Sequence, residues 1–213
     1  MKKLFNATNL KILAMLTMLI DHVGLILLDN MQVCRVIGRL AFPIFAFFVV
    51  EGFFHTKNVK KYMLRMAVFA IISEPIYDFA ISGSFCDMNA QNVMFTFLFA
   101  LIMMYALGLQ SLSLRLIGIA FAVFASVLLS TDYDLYGIVL ILTMYCFRNE
   151  RNNMILWTSI EHILLANGIQ RAAIFSNLIL CFYNGEKGKN LKYMFYIFYP
   201  LHLLVLGIIA YVY

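Results

Sequence analysis

Lys11 and His22 stand eleven residues apart inside the first long apolar stretch of the chain. On a helix of 3.6 residues per turn that spacing is about three turns with a residual of only ~20°, so both side chains share one face, about 16 Å apart along the axis. An imidazole is suited to removing a proton from an acceptor hydroxyl or amine. An ammonium three turns away is suited to an elongated anionic ligand that touches both groups. Asp21 adjoins His22 in sequence but lies about 100° round the helix, so adjacency alone does not let it orient the ring. Arg35 and Arg39 form an i,i+4 pair at the start of the next apolar stretch, and Glu51 and His55 form another at its far end. Glu74 and Asp78 repeat the spacing in the third, with Pro75 between them loosening that helix.

Ionisable groups inside a bilayer are costly, near ~2.5–3.5 kcal/mol each for Lys, Arg or Asp at mid-helix, and by default mark function. Each has a plainer reading. His55 either joins a site or snorkels beside Lys57. Glu74 and Asp78 either line a polar site or form ion pairs with Arg35 or Arg39. His202, in Tyr199-Pro200-Leu201-His202, is either a site member or a hydrogen-bonding residue at a helix start. Glu161 and His162 read as packing or interface residues. There is no HExxH motif or Cys/His cluster, so no metal is expected. No P-loop, GxGxxG or serine-hydrolase elbow is present either.

The elements that would carry these residues are membrane helices. Of 213 residues, 63% are hydrophobic and only 13% charged, with a mean hydropathy of +0.87. Soluble domains average about 25% charged residues, so the composition points to a lipid solvent. Apolar segments fall at about 7–28, 36–56, 63–80, 92–108, 115–130, 135–147, 154–166, 171–183 and 193–213, separated by turn formers such as Ser82-Gly83-Ser84 and Asn184-Gly185. Segments six to eight are short for a span of ~20 residues and read as tilted, internal or partly re-entrant. The first segment runs to Leu28 without a small-residue cleavage site, so it reads as an uncleaved span.

With the N-terminus in the cytoplasm, the inner connections hold Lys2, Lys3, Lys57, Lys60, Lys61, Arg65, Arg115, Arg148, Arg151, Lys187, Lys189 and Lys192, which is 12 of the 16 basic residues. The outer connections hold Asp29, Asp87, Asp132 and Asp134. One parity serves all nine segments, as the positive-inside rule requires. The same clustering accounts for the net charge of +5 without a nucleic-acid partner. Cys34 and Cys86 fall on the outer side, where a disulfide is one option; the plainer reading of all four cysteines is apolar packing.

Several stretches resemble the TraX family, whose best-known member acetylates the N-terminus of a conjugative pilin. They are Leu10-Lys11-Ile12 through Asp21-His22-Val23-Gly24, then Arg35-Val36-Ile37-Gly38-Arg39-Leu40-Ala41-Phe42-Pro43, Glu51-Gly52-Phe53, Gln91-Asn92-Val93-Met94, Asp132-Tyr133-Asp134-Leu135-Tyr136-Gly137 and Phe198-Tyr199-Pro200-Leu201-His202. The family is in turn similar to the larger membrane acyltransferase group, whose signature is a basic residue, ten intervening residues and a catalytic histidine. Lys11 and His22 match that signature. The group's paired arginines stand two residues apart, whereas Arg35 and Arg39 have three residues between them.

The resemblance implies a catalytic set of His22 with Lys11, Asp21 and Arg39, and an acyl-CoA site of Lys11, Arg35 and Arg39. Acceptor contacts would come from Glu51, His55, Glu74, Asp78, Gln91, Asn92 and His202. The parity places Arg35 and Arg39 toward the outer face, whereas CoA phosphates arrive from inside. Either the second helix dips inward, or these arginines serve the acceptor and the thioester oxygen.

The fold expected is all-α, one integral membrane acyltransferase-like domain over residues 1–213. It would be a polytopic transmembrane bundle of about nine helices (eight to ten) with a cytoplasmic N-terminus, in the bacterial cytoplasmic membrane. The function expected is acetyl-CoA-dependent O- or N-acetyl transfer to a pilin-like peptide, a glycan or a cell-wall polymer. The rival readings are a proton-coupled transporter using Glu51, Glu74 and Asp78, and a non-catalytic membrane component of a conjugation or secretion apparatus.

Overall fold

The computed structural model describes residues 4–189 and 192–212, with only the backbone for 192 and 193. Lys2, Lys3 and the side chain of Lys192, expected on the inner side, lie outside this description. The order is α1 (Ala7–Ile26), α2 (Gln32–Gly38), α3 (Ala41–His55), α4 (Val59–Ser82), α5 (Val93–Leu107), α6 (Leu112–Leu128), α7 (Asp134–Cys146), α8 (Arg151–Leu164), a 3-10 stretch (Gly168–Ile174), α9 (Phe175–Cys181) and α10 (Lys192–Val212). Among the described residues there is no strand. The only pairings of that kind are the isolated bridges Phe5–Tyr183 and Gln91–Thr131.

Arg39 and Leu40 keep right-handed helical backbone angles, so α2 and α3 run on as one apolar rod, Gln32–His55. The 3-10 stretch leads into α9 in the same way. Nine rods result among the described residues, one for each apolar segment of the sequence. Ala7–Ile26, Gln32–His55 and Met194–Val212 are long and apolar enough to cross a membrane, whereas Val93–Leu107, Leu112–Leu128, Asp134–Cys146 and Gly168–Cys181 are apolar but shorter.

Side-chain caps set several helix starts. Asn6, Asn58 and Asn92 accept from the backbone N–H of Asn9, Lys61 and Met94, each at 2.9 Å, which satisfies donors that no helical carbonyl can reach. Pro43 sits in the first turn of α3, where a missing N–H costs nothing. Connections meet only connections of the same parity in the backbone contacts described. Leu4 and Phe5 donate to Phe182 O at 2.9 and 3.1 Å, and Gln91 exchanges bonds of 3.1 and 2.9 Å with Ser130 and Asp132.

Four packings build the site. α1 packs against α2 and α3, and α10 lies along both α1 and α4. A Cβ on Gly38 would stand 2.1 Å from Asp21 Cβ, and one on Gly24 would stand 2.3 Å from Cys34 Cβ. Both contacts are closer than carbon atoms approach, so these glycines allow α2 to lie directly on α1. The four cysteines are free, so the Cys34–Cys86 option is not realised and α1–α2 packing rests on these small residues.

Candidate functional site

His22 is buried where α1 meets α10, and its Nδ1 lies 2.7 Å from His202 Nε2. His202 Nδ1 in turn lies 2.7 Å from the carbonyl of Phe198, one turn back on α10. A carbonyl only accepts, so His202 Nδ1 carries the proton, and with both rings neutral its Nε2 accepts from His22 Nδ1–H. His22 Nε2 is then the ring nitrogen with a free lone pair, and among the described residues nothing hydrogen-bonds it. His202 orients His22 across the bundle, a task Asp21 cannot perform from its own helix face.

Asp21 instead holds the arginines. Its Oδ2 accepts from Arg35 Nη1 at 2.7 Å and from Arg39 Nη2 at 2.5 Å, with all three side chains largely buried. Arg39 is engaged throughout, donating from Nε to Arg35 O at 3.2 Å and from Nη1 to Gln170 Oε1 at 3.1 Å. Gln170 and His162 both reach the Tyr136 hydroxyl, at 3.5 and 2.8 Å, so the buried His162 ends a network that begins at Asp21. Arg35 is less committed: its Nε is buried without a partner, as is Asp21 Oδ1. These unfilled groups sit beside a cavity of about 60 Å³ lined by Asp21, His22, Arg35, Arg39, Asp132 and Tyr133 among others.

A second, larger cavity of about 460 Å³ is lined by Lys11, His55, Arg65, Lys187 and Lys189, with Tyr62, Phe195 and Tyr196 among its aromatic walls. Met18, Phe45, Val93, Phe97 and Tyr199 line both cavities and so form the partition between them. Met18 lies between Lys11 and His22 on their shared face of α1, as helical phase requires. Lys11 therefore faces one chamber and His22 the other. The expected grouping of Lys11 with Arg35 and Arg39 is divided: the arginines line the smaller cavity with Asp21 and His22, and Lys11 lines the larger one.

The remaining sequence candidates are placed otherwise. Glu51 lines neither cavity and accepts from Arg148 Nε at 2.7 Å. His55 lines the larger one, with its Nδ1 donating to Glu51 O at 2.8 Å. Glu74 and Asp78 form no ion pair with Arg35 or Arg39 among the described residues. Glu74 accepts from the backbone and side-chain nitrogens of Asn92, and Asp78 accepts from Asp87 N at 2.9 Å. Asn92 also donates to Ala70 O at 2.9 Å, tying α5 to α4. Gln91 pairs by backbone with the segment that presents Asp132. Glu74, Asp78, Gln91 and Asn92 thus tie α4 and α5 to the connections beside them without lining either cavity.

Sequence reasoning missed Arg65, Lys187 and Lys189, which the positive-inside pattern had already explained, and also Met18 and Tyr199. The phase of α1 could have found Met18. Asp132 and Tyr133 line the smaller cavity, a role that their stretch of sequence does not by itself reveal.

The chain is 30% identical to the probable fimbrial assembly protein FimC, serogroup H1, of Dichelobacter nodosus, over 95% of this chain and 94% of that protein. A shorter match, 35% identical over 88 residues, covers 39% of this chain and 33% of an uncharacterized protein of Rickettsia prowazekii (strain Madrid E). No solved structure matches it significantly. The family model described as TraX protein matches residues 6–210, nearly the whole chain, and the protein therefore belongs to the TraX family.

Proposed function

We propose that this TraX family member is a polytopic protein of the bacterial cytoplasmic membrane, with its N-terminus inside, that transfers an acetyl or other acyl group from acyl-CoA to a hydroxyl or amine of an envelope-associated acceptor. The membrane reading is supported by the charge parity of the nine rods and by exposed apolar residues on α6, where Leu112, Leu116, Phe124 and Leu128 recur at multiples of four residues.

The observation that carries the chemistry is the Phe198–His202–His22 relay, which leaves His22 Nε2 free beside the cavity that holds Arg35. His22 takes the acceptor's proton as its oxygen or neutral nitrogen attacks the thioester carbon. Arg35 stabilises the oxyanion that forms. The C–S bond then breaks, and the leaving CoA thiolate takes the proton held by His22, which restores the neutral imidazole. The donor approaches through the chamber beside Lys11, and the acceptor from the outer end. The D. nodosus relative's name makes a pilin-like subunit the first acceptor to try.

Glu51, Glu74 and Asp78 are each engaged by a different local partner, which weakens the case for a transporter relay. The test is His22→Ala in purified, reconstituted protein with unchanged expression. Loss of CoA release and of acceptor acetylation is expected, and undiminished turnover would overturn the assignment.

A further inference from the structure

Among the described residues, the larger chamber carries four cationic side chains, Lys11, Arg65, Lys187 and Lys189, and no carboxylate lines it. None of the four forms an ion pair among the described residues. Arg65 Nε is buried without a hydrogen-bond partner. Lys11 rests its ammonium against the Phe48 and Phe195 rings, 4.8 and 5.2 Å from their centroids. Like charges gathered on a concave wall repel one another unless an anion sits between them.

The loop that supplies two of these charges is built into place. Gly188 adopts φ +67°, a backbone conformation that side chains rarely take, and a Cβ there would meet Asn6 Oδ1 and Thr8 Oγ1 at 2.7 Å. Thr8 Oγ1 also hydrogen-bonds the carbonyls of Lys187 and Lys189, at 3.2 and 2.7 Å. The start of α1 thus holds the Lys187-Gly188-Lys189 turn by its backbone, leaving both lysine side chains to line the chamber.

We propose that this chamber is a phosphate subsite, in which Arg65, Lys187 and Lys189 join Lys11 to hold the nucleotide phosphates of the acyl donor. The proposal rests on the acyl-transfer reading and names the groups that hold the donor's charged end. The same chemistry would accept a phospholipid headgroup. A nucleotide is favoured because Tyr62, Phe195 and Tyr196 offer aromatic walls for a base. It is favoured also because the chamber ends at the partition with the His22 cavity, where a thioester arm would have to pass.

The test uses the full chain in detergent, with Lys187→Gln/Lys189→Gln and, separately, Arg65→Gln. The lysine variant keeps the backbone carbonyls that Thr8 holds, so its fold is retained. Removing two phosphate contacts should weaken coenzyme A binding and raise the KM for acetyl-CoA about tenfold, with kcat falling far less. Pantetheine, which lacks the phosphates, should bind wild type and variant alike. Unchanged coenzyme A affinity in both variants, with turnover continuing, overturns the subsite and leaves acyl transfer standing. Unchanged coenzyme A affinity together with lost binding of phosphatidylglycerol vesicles assigns the chamber to a headgroup and also overturns it. A wild type that neither binds coenzyme A nor turns over acetyl-CoA overturns the acyl-transfer reading and the subsite with it.

Discussion

His22 and His202, 180 residues apart in the chain, share a 2.7 Å hydrogen bond between helices at opposite ends of the sequence. The bond selects which nitrogen of His22 is free, so under the proposed reaction His202 is a positioning residue for the proposed base. His202→Leu should lower turnover by about 10²-fold, the low end of what a well-placed general base contributes. His202→Gln, whose side-chain oxygen can accept from His22 Nδ1–H, should recover part of the loss. Both are read by single-turnover CoA release, and equal activity in the two variants would remove His202 from this role.

Arg35 and Arg39 share Asp21 but divide their work. Arg39 donates from all three guanidinium nitrogens to protein groups, whereas Arg35 Nε has no partner. Arg35→Lys should reduce kcat by about 10²-fold, as loss of an oxyanion donor does, with little change in thermal stability. Arg39→Lys should chiefly lower the melting temperature. A reversed pattern would make Arg39 the chemically active arginine.

Gly38→Ala places a methyl group against Asp21, with 2.1 Å to its Cβ. Overpacking of this kind costs about 1–3 kcal/mol, and it separates Asp21 from the two arginines it holds. Thermal unfolding in detergent should show the loss, accompanied by lower turnover. Leu40→Ala at the nearby rod junction, outside the Asp21 contact, serves as the comparison.

The Glu51–Arg148 pair is partly exposed, with side chains 20% and 26% accessible. Its contribution is therefore about 0–1 kcal/mol. Glu51→Gln, Arg148→Gln and the double variant should lose similar small amounts of stability, and the double variant should lose less than the sum. A strongly destabilised Glu51→Gln would show that the pair is shielded by lipid or by another chain.

Cys86 and Cys146 are both free and exposed, the first after α4 and the second at the end of α7. In variants retaining one cysteine each, a membrane-impermeant maleimide should label Cys86 in intact cells and Cys146 only after permeabilisation. The opposite result would invert the bundle.

The nine rods were legible because apolar runs and turn residues act locally; charges clustered at alternate connections give an expected direction, which the cysteine labelling tests. The boundaries were less legible. α4 begins at Val59 because Asn58 caps it, ahead of the apolar run that starts near 63. Within the site, the shared face of Lys11 and His22 follows from helical phase. The partner of His22 does not, since pairing α1 with α10 depends on how the whole bundle closes. That Lys187 and Lys189 line a cavity was hidden by a sufficient explanation: charges expected to set topology and charges that line a chamber look alike in one dimension. Glu74 and Asp78 carried a plausible expectation of pairing with Arg35 and Arg39, but Asn92 and Asp87 reach them first.

α1 presents Lys11 to one chamber, Met18 to the partition and His22 to the other, which makes the helix a ruler of fixed length. Side chains along it can drift one at a time. Adding or deleting a residue between positions 11 and 22 is a different event, because it swings one end by about 100° relative to the other. Such a change would leave hydropathy, charge and chain length almost unaltered while uncoupling the two chambers. In this segment the count of residues itself sets which chamber each end of the helix faces.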